Sequence, residues 1–113
     1  MTENIDKIVR KTCSVFNITK EELRSKNQDR HLVYARMICV KHIKSLCNLS
    51  SSKIAEAINR DSSTVRYYLS VVEKECFYNS SFRTLSDEVG LVCLEIRSDL
   101  EIELEQELNE IIG

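Results

Sequence analysis

Proline is absent from this chain, and glycine occurs only at Gly90 and Gly113. Proline interrupts a helix by removing an amide donor and clashing with the preceding turn, and glycine weakens one through its backbone entropy. A chain nearly free of both has almost nothing to break helices. β-Branched residues nowhere build an alternating run long enough for a sheet. An all-α fold follows. At 113 residues the chain supports one domain with a modest core and one appended element.

The pattern is sharpest between Leu49 and Val72. Ile54, Ala57 and Ile58 share one helical face, and Val65, Leu69 and Val72 share another at i, i+4 and i+7. The turn between them, Asn59-Arg60-Asp61, is too short to leave the second helix free in orientation, so both faces enter one core. This is a helix-turn-helix written in sequence. Ser50 and Asp61 stand where N-caps belong. Outside the core, at the start of the second helix, lie Ser62, Ser63, Thr64, Arg66 and Tyr67. Hydroxyls, a guanidinium and an aromatic at a helix N-terminus suit base edges and phosphates in a major groove.

Upstream, Ile5, Ile8, Val9, Thr12 and Phe16 form one stripe, predicting a helix over Asn4–Val15 with Lys7, Arg10 and Lys11 outward. Thr19 and Glu22 make a capping box that opens a short helix. A polar loop over 25–29 follows, then a long helix over His31–Cys47, apolar on most of its circumference and expected at the centre of the fold. Its exposed strip is expected to carry Arg36, Lys41 and Lys44. The helical pattern breaks at 78–81, which sets a boundary between residues 1–78 and an acidic amphipathic extension over 79–113. In that extension Phe82, Leu85, Val89, Val92, Cys93 and Ile96 return to helical spacing, continued by Leu100, Leu104, Leu108 and Ile111. A helix or helix pair is expected there, because Leu and Glu favour helix over strand.

The formal net charge of −2 conceals an asymmetry. Residues 1–75 hold 14 Lys or Arg against 9 Asp or Glu, net +5, while residues 76–113 hold 2 against 9, net −7. A basic body attracts a phosphate backbone where the whole-chain average suggests nothing. Cys13, Cys39, Cys47, Cys76 and Cys93 form no Cys-x-x-Cys pair, and their odd number argues against a disulfide framework. Small buried hydrophobes in a reducing compartment are expected. His31 and His42 share no helical face, so neither a metal site nor a Cys-His pair is supported, and no nucleophile-base constellation or cofactor motif is present. With no apolar run near ~20 residues and no apolar signal core, a soluble cytoplasmic protein without membrane contact is expected.

The order of elements resembles the C-terminal duplex-binding domain of bacterial replication initiator proteins of the DnaA family, whose fold is similar to that of the Trp repressor. The resemblance begins at Ile5-Asp6-Lys7-Ile8-Val9 and runs through Leu23-Arg24-Ser25-Lys26, where the family has Leu-x-Ser-Lys before an arginine-rich loop. Tyr34-Ala35-Arg36-Met37 is similar to the family's Ala-Arg-Gln, and Asn48-Leu49-Ser50 with Ile54 to its Asn-x-Ser-x-x-x-Ile. The most specific piece is Arg60-Asp61-Ser62-Ser63-Thr64-Val65, which resembles Arg-Asp-His-Thr/Ser-Thr-Val. The resemblance implies that Ser63 and Thr64 approach base edges, thymine methyls included. Ser62 replaces a histidine that reads base and phosphate. Asn27 and Gln28 stand where the family carries arginines, one of which enters the minor groove, and Lys26 and Arg30 keep the charge there. Asn59 alone represents a glycine pair. The family's ATPase module has no counterpart in a chain with two glycines.

The expected function is therefore binding of double-stranded, sequence-specific DNA by a standalone initiator-like accessory or regulator of replication or transcription, not catalysis. Ser62, Ser63, Thr64, Arg66 and Tyr67 are expected to supply base or adjacent phosphate contacts, Lys26, Arg30, Arg36, Lys44, Lys53 and Arg60 to hold the backbone, and Gln28, in the place of a family arginine, completes the expected DNA-binding set. The alternative is a protein-interaction or oligomerisation module with a degenerate DNA-binding surface, using residues 82–112 for self-association or a protein partner.

Overall fold

A computed structural model describes residues 2–112 as six helices, with no strand among them. They are α1 (Thr2–Phe16), α2 (Lys20–Leu23), α3 (Arg30–Cys47), α4 (Ser51–Ile58), α5 (Ser62–Tyr78) and α6 (Ser80–Ile112). The all-α expectation holds. α3 is the hub: α1, α2, α4, α5 and α6 all pack on it, and Leu32, Ala35 to Val40 and Ile43 are buried along it.

The helix ends show how a glycine-poor chain turns. Asn17, Asn48 and Asn59 adopt left-handed backbone, with φ of 54°, 49° and 54°. Asparagine tolerates this region better than other side chains with a Cβ, so it does here what C-terminal glycine does in most proteins. N-termini are capped as the sequence indicates. Thr19 Oγ1 accepts the Glu22 amide at 3.1 Å and Glu22 Oε1 accepts the Thr19 amide at 3.0 Å. Ser50 accepts the Lys53 amide, and Asp61 accepts the Thr64 amide at 2.9 Å.

In α4 the buried residues are Ile54, Ala55 and Ile58, with Ala57 only half-buried; in α5 they are Val65, Tyr68, Val72 and Cys76. Cys39, Cys76 and Cys93 are buried and Cys13 and Cys47 half-buried, all as free thiols. Burial pushes the Cys39 thiol up to about 12, so it is a packing group and not a nucleophile.

The extension is one continuous helix of 33 residues, the simpler of the two forms expected, and its first half packs into the body. Asn79 interrupts the helix, but Phe82, Val89, Cys93 and Ile96 belong to the same core as Ile8, Ile38 and Val65. The Phe82 ring meets Tyr34 edge-on at 5.0 Å, and Ser86 is buried beside His42, whose Nε2 lies 2.8 Å from the Ser86 carbonyl oxygen. The exposed part starts only after Ile96: every side chain from Arg97 to Ile112 faces solvent. One sequence expectation changes, the exposed strip of α3. Lys41 and Lys44 are half-buried, and Arg36 is fully buried.

Candidate nucleic-acid interface

The segment from Lys26 to Arg30 is exposed throughout, yet its backbone is pinned from below by arginines. Arg36 Nε donates to the Leu23 carbonyl at 2.7 Å, Nη1 to Asn27 at 2.7 Å, and Nη2 to Ser25 at 2.9 Å and Glu22 at 3.3 Å. A rigid fork of five donors is suited to this task, and no other side chain supplies one. Burial, reinforced by the nearby Arg60 guanidinium, draws the Arg36 pKa below its ordinary value. Arg36 thus does not meet the expectation of an outward phosphate-holding residue; its donors are engaged inside the protein. The sequence carried the sign of this. Arg36 lies in register with Leu32, Ala35, Cys39, Val40 and Ile43, the buried face of α3.

Arg60 makes the next connection, from Nη2 to the Ser25 carbonyl at 2.7 Å, while its Nε is buried without a partner. Asn59 Nδ2 donates to the Arg24 carbonyl at 3.1 Å, and Arg24 Nη1 returns to the carbonyls of Glu56 and Ala57 at 2.6 and 2.9 Å. These bonds join the 24–28 loop to the end of α4 and the turn before α5. Two segments 35 residues apart in sequence become one rigid ledge. Arg24 and the Asn59 side chain were missed in the sequence, because their partners are backbone carbonyls that leave no mark in it.

The ledge sits beside the start of α5. The positive charge of Lys26 acts on Asp61, and Gln28, Arg30 and Tyr67 line one open groove. Ser63 and Arg66 are exposed, Ser62 and Thr64 half-buried, and Tyr67 is 62 % exposed. Ser63 Oγ and Thr64 Oγ1 both donate to Asp61 Oδ1, at 2.8 and 2.7 Å. Led by the Thr64 hydroxyl, then its amide and Ser63, these bonds hold the Asp61 carboxyl at about 2. The two hydroxyl protons are therefore engaged, which leaves the Thr64 methyl and the hydroxyl lone pairs for an incoming base edge.

The expected backbone holders do not form one set. Lys26, Arg30 and Lys53 are exposed. Lys44 is half-buried, with Nζ donating to the Leu49 carbonyl at 3.1 Å, and it lies 14 residues along α3 from Arg30, about 21 Å away at helical rise.

Comparison with known proteins fits this geometry. Residues 5–72 match the family model described as bacterial dnaA protein helix-turn-helix. The chromosomal replication initiator protein DnaA of Oleidesulfovibrio alaskensis is 39 % identical over 72 residues, 64 % of this chain and 16 % of that protein. The protein of the same name from Bacteroides fragilis is 30 % identical over 81 residues, 71 % of this chain and 17 % of its own length. The chain thus spans about a sixth of the length of these curated relatives. The matched region runs from the start of α1 to the middle of α5 and contains the whole ledge and turn, and by that match the chain belongs to the helix-turn-helix family of bacterial DnaA proteins.

Proposed function

We propose that this protein binds double-stranded DNA in a sequence-dependent way, with the first turns of α5 in a major groove and the 26–30 loop against the adjacent backbone. The observation that carries this reading is the ledge: the loop and the α5 N-terminus are held in fixed relation, so one docking pose satisfies both. In that pose Ser62, Ser63, Thr64 and Tyr67 meet base edges, while Lys26, Arg30, Lys53 and Arg66 meet phosphates. Gln28, beside Arg30, reaches for the minor groove as a neutral amide, which gains less there than an arginine. Arg36 and Arg60 contribute by holding the loop. The protein acts as an accessory or regulator at a replication origin or promoter; its relatives' names support the first of these.

Duplex binding measured by fluorescence anisotropy tests the reading. With about four exposed cations engaged, log K falls against log salt with a slope of roughly −3 to −4. Thr64→Ala with Arg66→Ala weakens binding about tenfold or more, which is about 1.4 kcal/mol. Selection from a random duplex pool returns a consensus. Absence of binding at ~50 mM salt, or an affinity untouched by the double substitution, overturns it.

A further inference from the structure

The last turns of α6 carry an apolar strip that the body does not cover. Leu104, Leu108 and Ile111 are 59, 56 and 82 % exposed and continue the face on which Val89, Cys93 and Ile96 are buried. Acids flank the strip on both sides: Glu101 and Glu105 on one, Glu103, Glu107 and Glu110 on the other, with no Lys or Arg after Arg97. Pairing two such strips with each other sets carboxylates against carboxylates. The fitting surface is an apolar groove with cationic rims.

The protein has one. Between α3 and α5 lies an open groove of about 640 Å³ whose floor is Val33, Met37 and Val71 and whose rims carry Arg30 and Lys74. Its one carboxylate, Glu75, is held by the Asn79 amide at 3.0 Å and the Tyr34 hydroxyl at 2.8 Å. An apolar floor between cationic rims suits the apolar face of an acidic amphipathic helix.

The chain's own tail cannot reach it. α6 runs along α3 and leaves the body near the far end, where Arg97 Nη2 lies 3.3 Å from Ser45 Oγ, whereas the groove lies at the Arg30–Met37 end. From there α6 continues straight for 15 residues, about 22 Å. Two copies placed side by side and antiparallel bring each tail alongside the other's groove, and a two-fold arrangement closes without open ends.

We infer that the distal α6 strip of one copy docks in the α3/α5 groove of a second copy, forming an antiparallel homodimer. Resting on the duplex-binding reading, one consequence follows. The groove shares Gln28, Arg30 and Tyr67 with the DNA-facing side, so tail docking and duplex binding exclude each other, and the tail restrains DNA binding in trans.

A charge swap in the full chain, read by light scattering without DNA, tests the dimer. At about 100 µM chain, which populates any homodimer of micromolar affinity, the wild type has twice the chain mass. Arg30→Glu with Lys74→Glu gives a monomer, as does the tail set Glu101→Lys, Glu103→Lys, Glu105→Lys and Glu107→Lys, which turns the tail beyond Arg97 from acidic to basic. Mixing these two variants restores the dimer, because each groove then meets a tail of opposite charge. A monomeric wild type, a dimer indifferent to the groove pair, or no restoration on mixing overturns the proposal; loss with the tail set alone assigns the contact to tail against tail. The restraint is tested by Leu104→Ser with Leu108→Ser, which frees the tail without changing charge: duplex affinity rises severalfold, and an unchanged affinity overturns it. The mass measurement stands whatever the duplex result, so failure of the dimer and failure of DNA binding remain distinguishable.

Discussion

The two halves of α6 follow one apolar stripe and meet opposite fates. From Phe82 to Ile96 the stripe is sealed against α1, α3 and α5; from Leu100 to Ile111 the same face lies open. The helical spacing hardly differs, and neither does the helix, which runs unbroken through both halves. What differs is the neighbour. Periodicity gives a helix a face, and only an opposing surface turns that face into a core.

The comparison is broken most severely by Phe82→Ala. This ring is fully buried against Tyr34, and its loss costs about 3–5 kcal/mol, read as a lower urea midpoint. A cost below about 1 kcal/mol would mean that the proximal half is as dispensable as the distal one. Next comes Arg36→Met, which keeps the stem and removes the fork, leaving the Leu23 and Asn27 carbonyls without their partner. It costs about 2 kcal/mol or more and frees the loop; Arg36→Lys does not restore it, since one ammonium cannot span those carbonyls. Hydrogen exchange of the 25–29 amides checks the loop.

A smaller effect comes from His42, which anchors the proximal half through Ser86. Burial holds its pKa below the ordinary 6.5. The unfolded chain therefore takes up this proton first, so stability is full above the ordinary value and falls as pH drops through it. His42→Gln flattens that part of the stability profile, and an unchanged slope would count against the burial. Smallest of all is Leu104→Ala, which leaves unfolding of the dilute monomer within about 0.5 kcal/mol. A larger loss would show that the distal strip already has a partner within its own chain.

Much of the fold was legible because it rests on local rules. The absence of proline, the capping residues Thr19, Ser50 and Asp61, and the left-handed asparagine at position 59 all act within one turn of themselves. The outward positions of Ser63, Arg66 and Tyr67 follow from helical phase once Val65 and Val72 face inward. At Arg36 two rules conflict: its charge points to the surface and its helical register with Leu32, Ala35, Cys39 and Ile43 to the core, and the register prevails. A buried guanidinium is tolerated only where carbonyls converge on it, and the carbonyls of Glu22, Leu23, Ser25 and Asn27 converge through the path of a loop.

The sequence by itself determined that this chain is helical, where its helices start and stop, and which face of each is apolar, because those properties depend on residues three or four apart. Only the tertiary structure decided which of those faces are buried, that α6 belongs to the body as far as Ile96, and that Arg24, Arg36, Asn59 and Arg60 weld the loop to the turn before α5. Those outcomes depend on backbone groups brought together from 9 to 35 residues apart. Every residue has the same carbonyl, so no side-chain pattern announces which ones will meet.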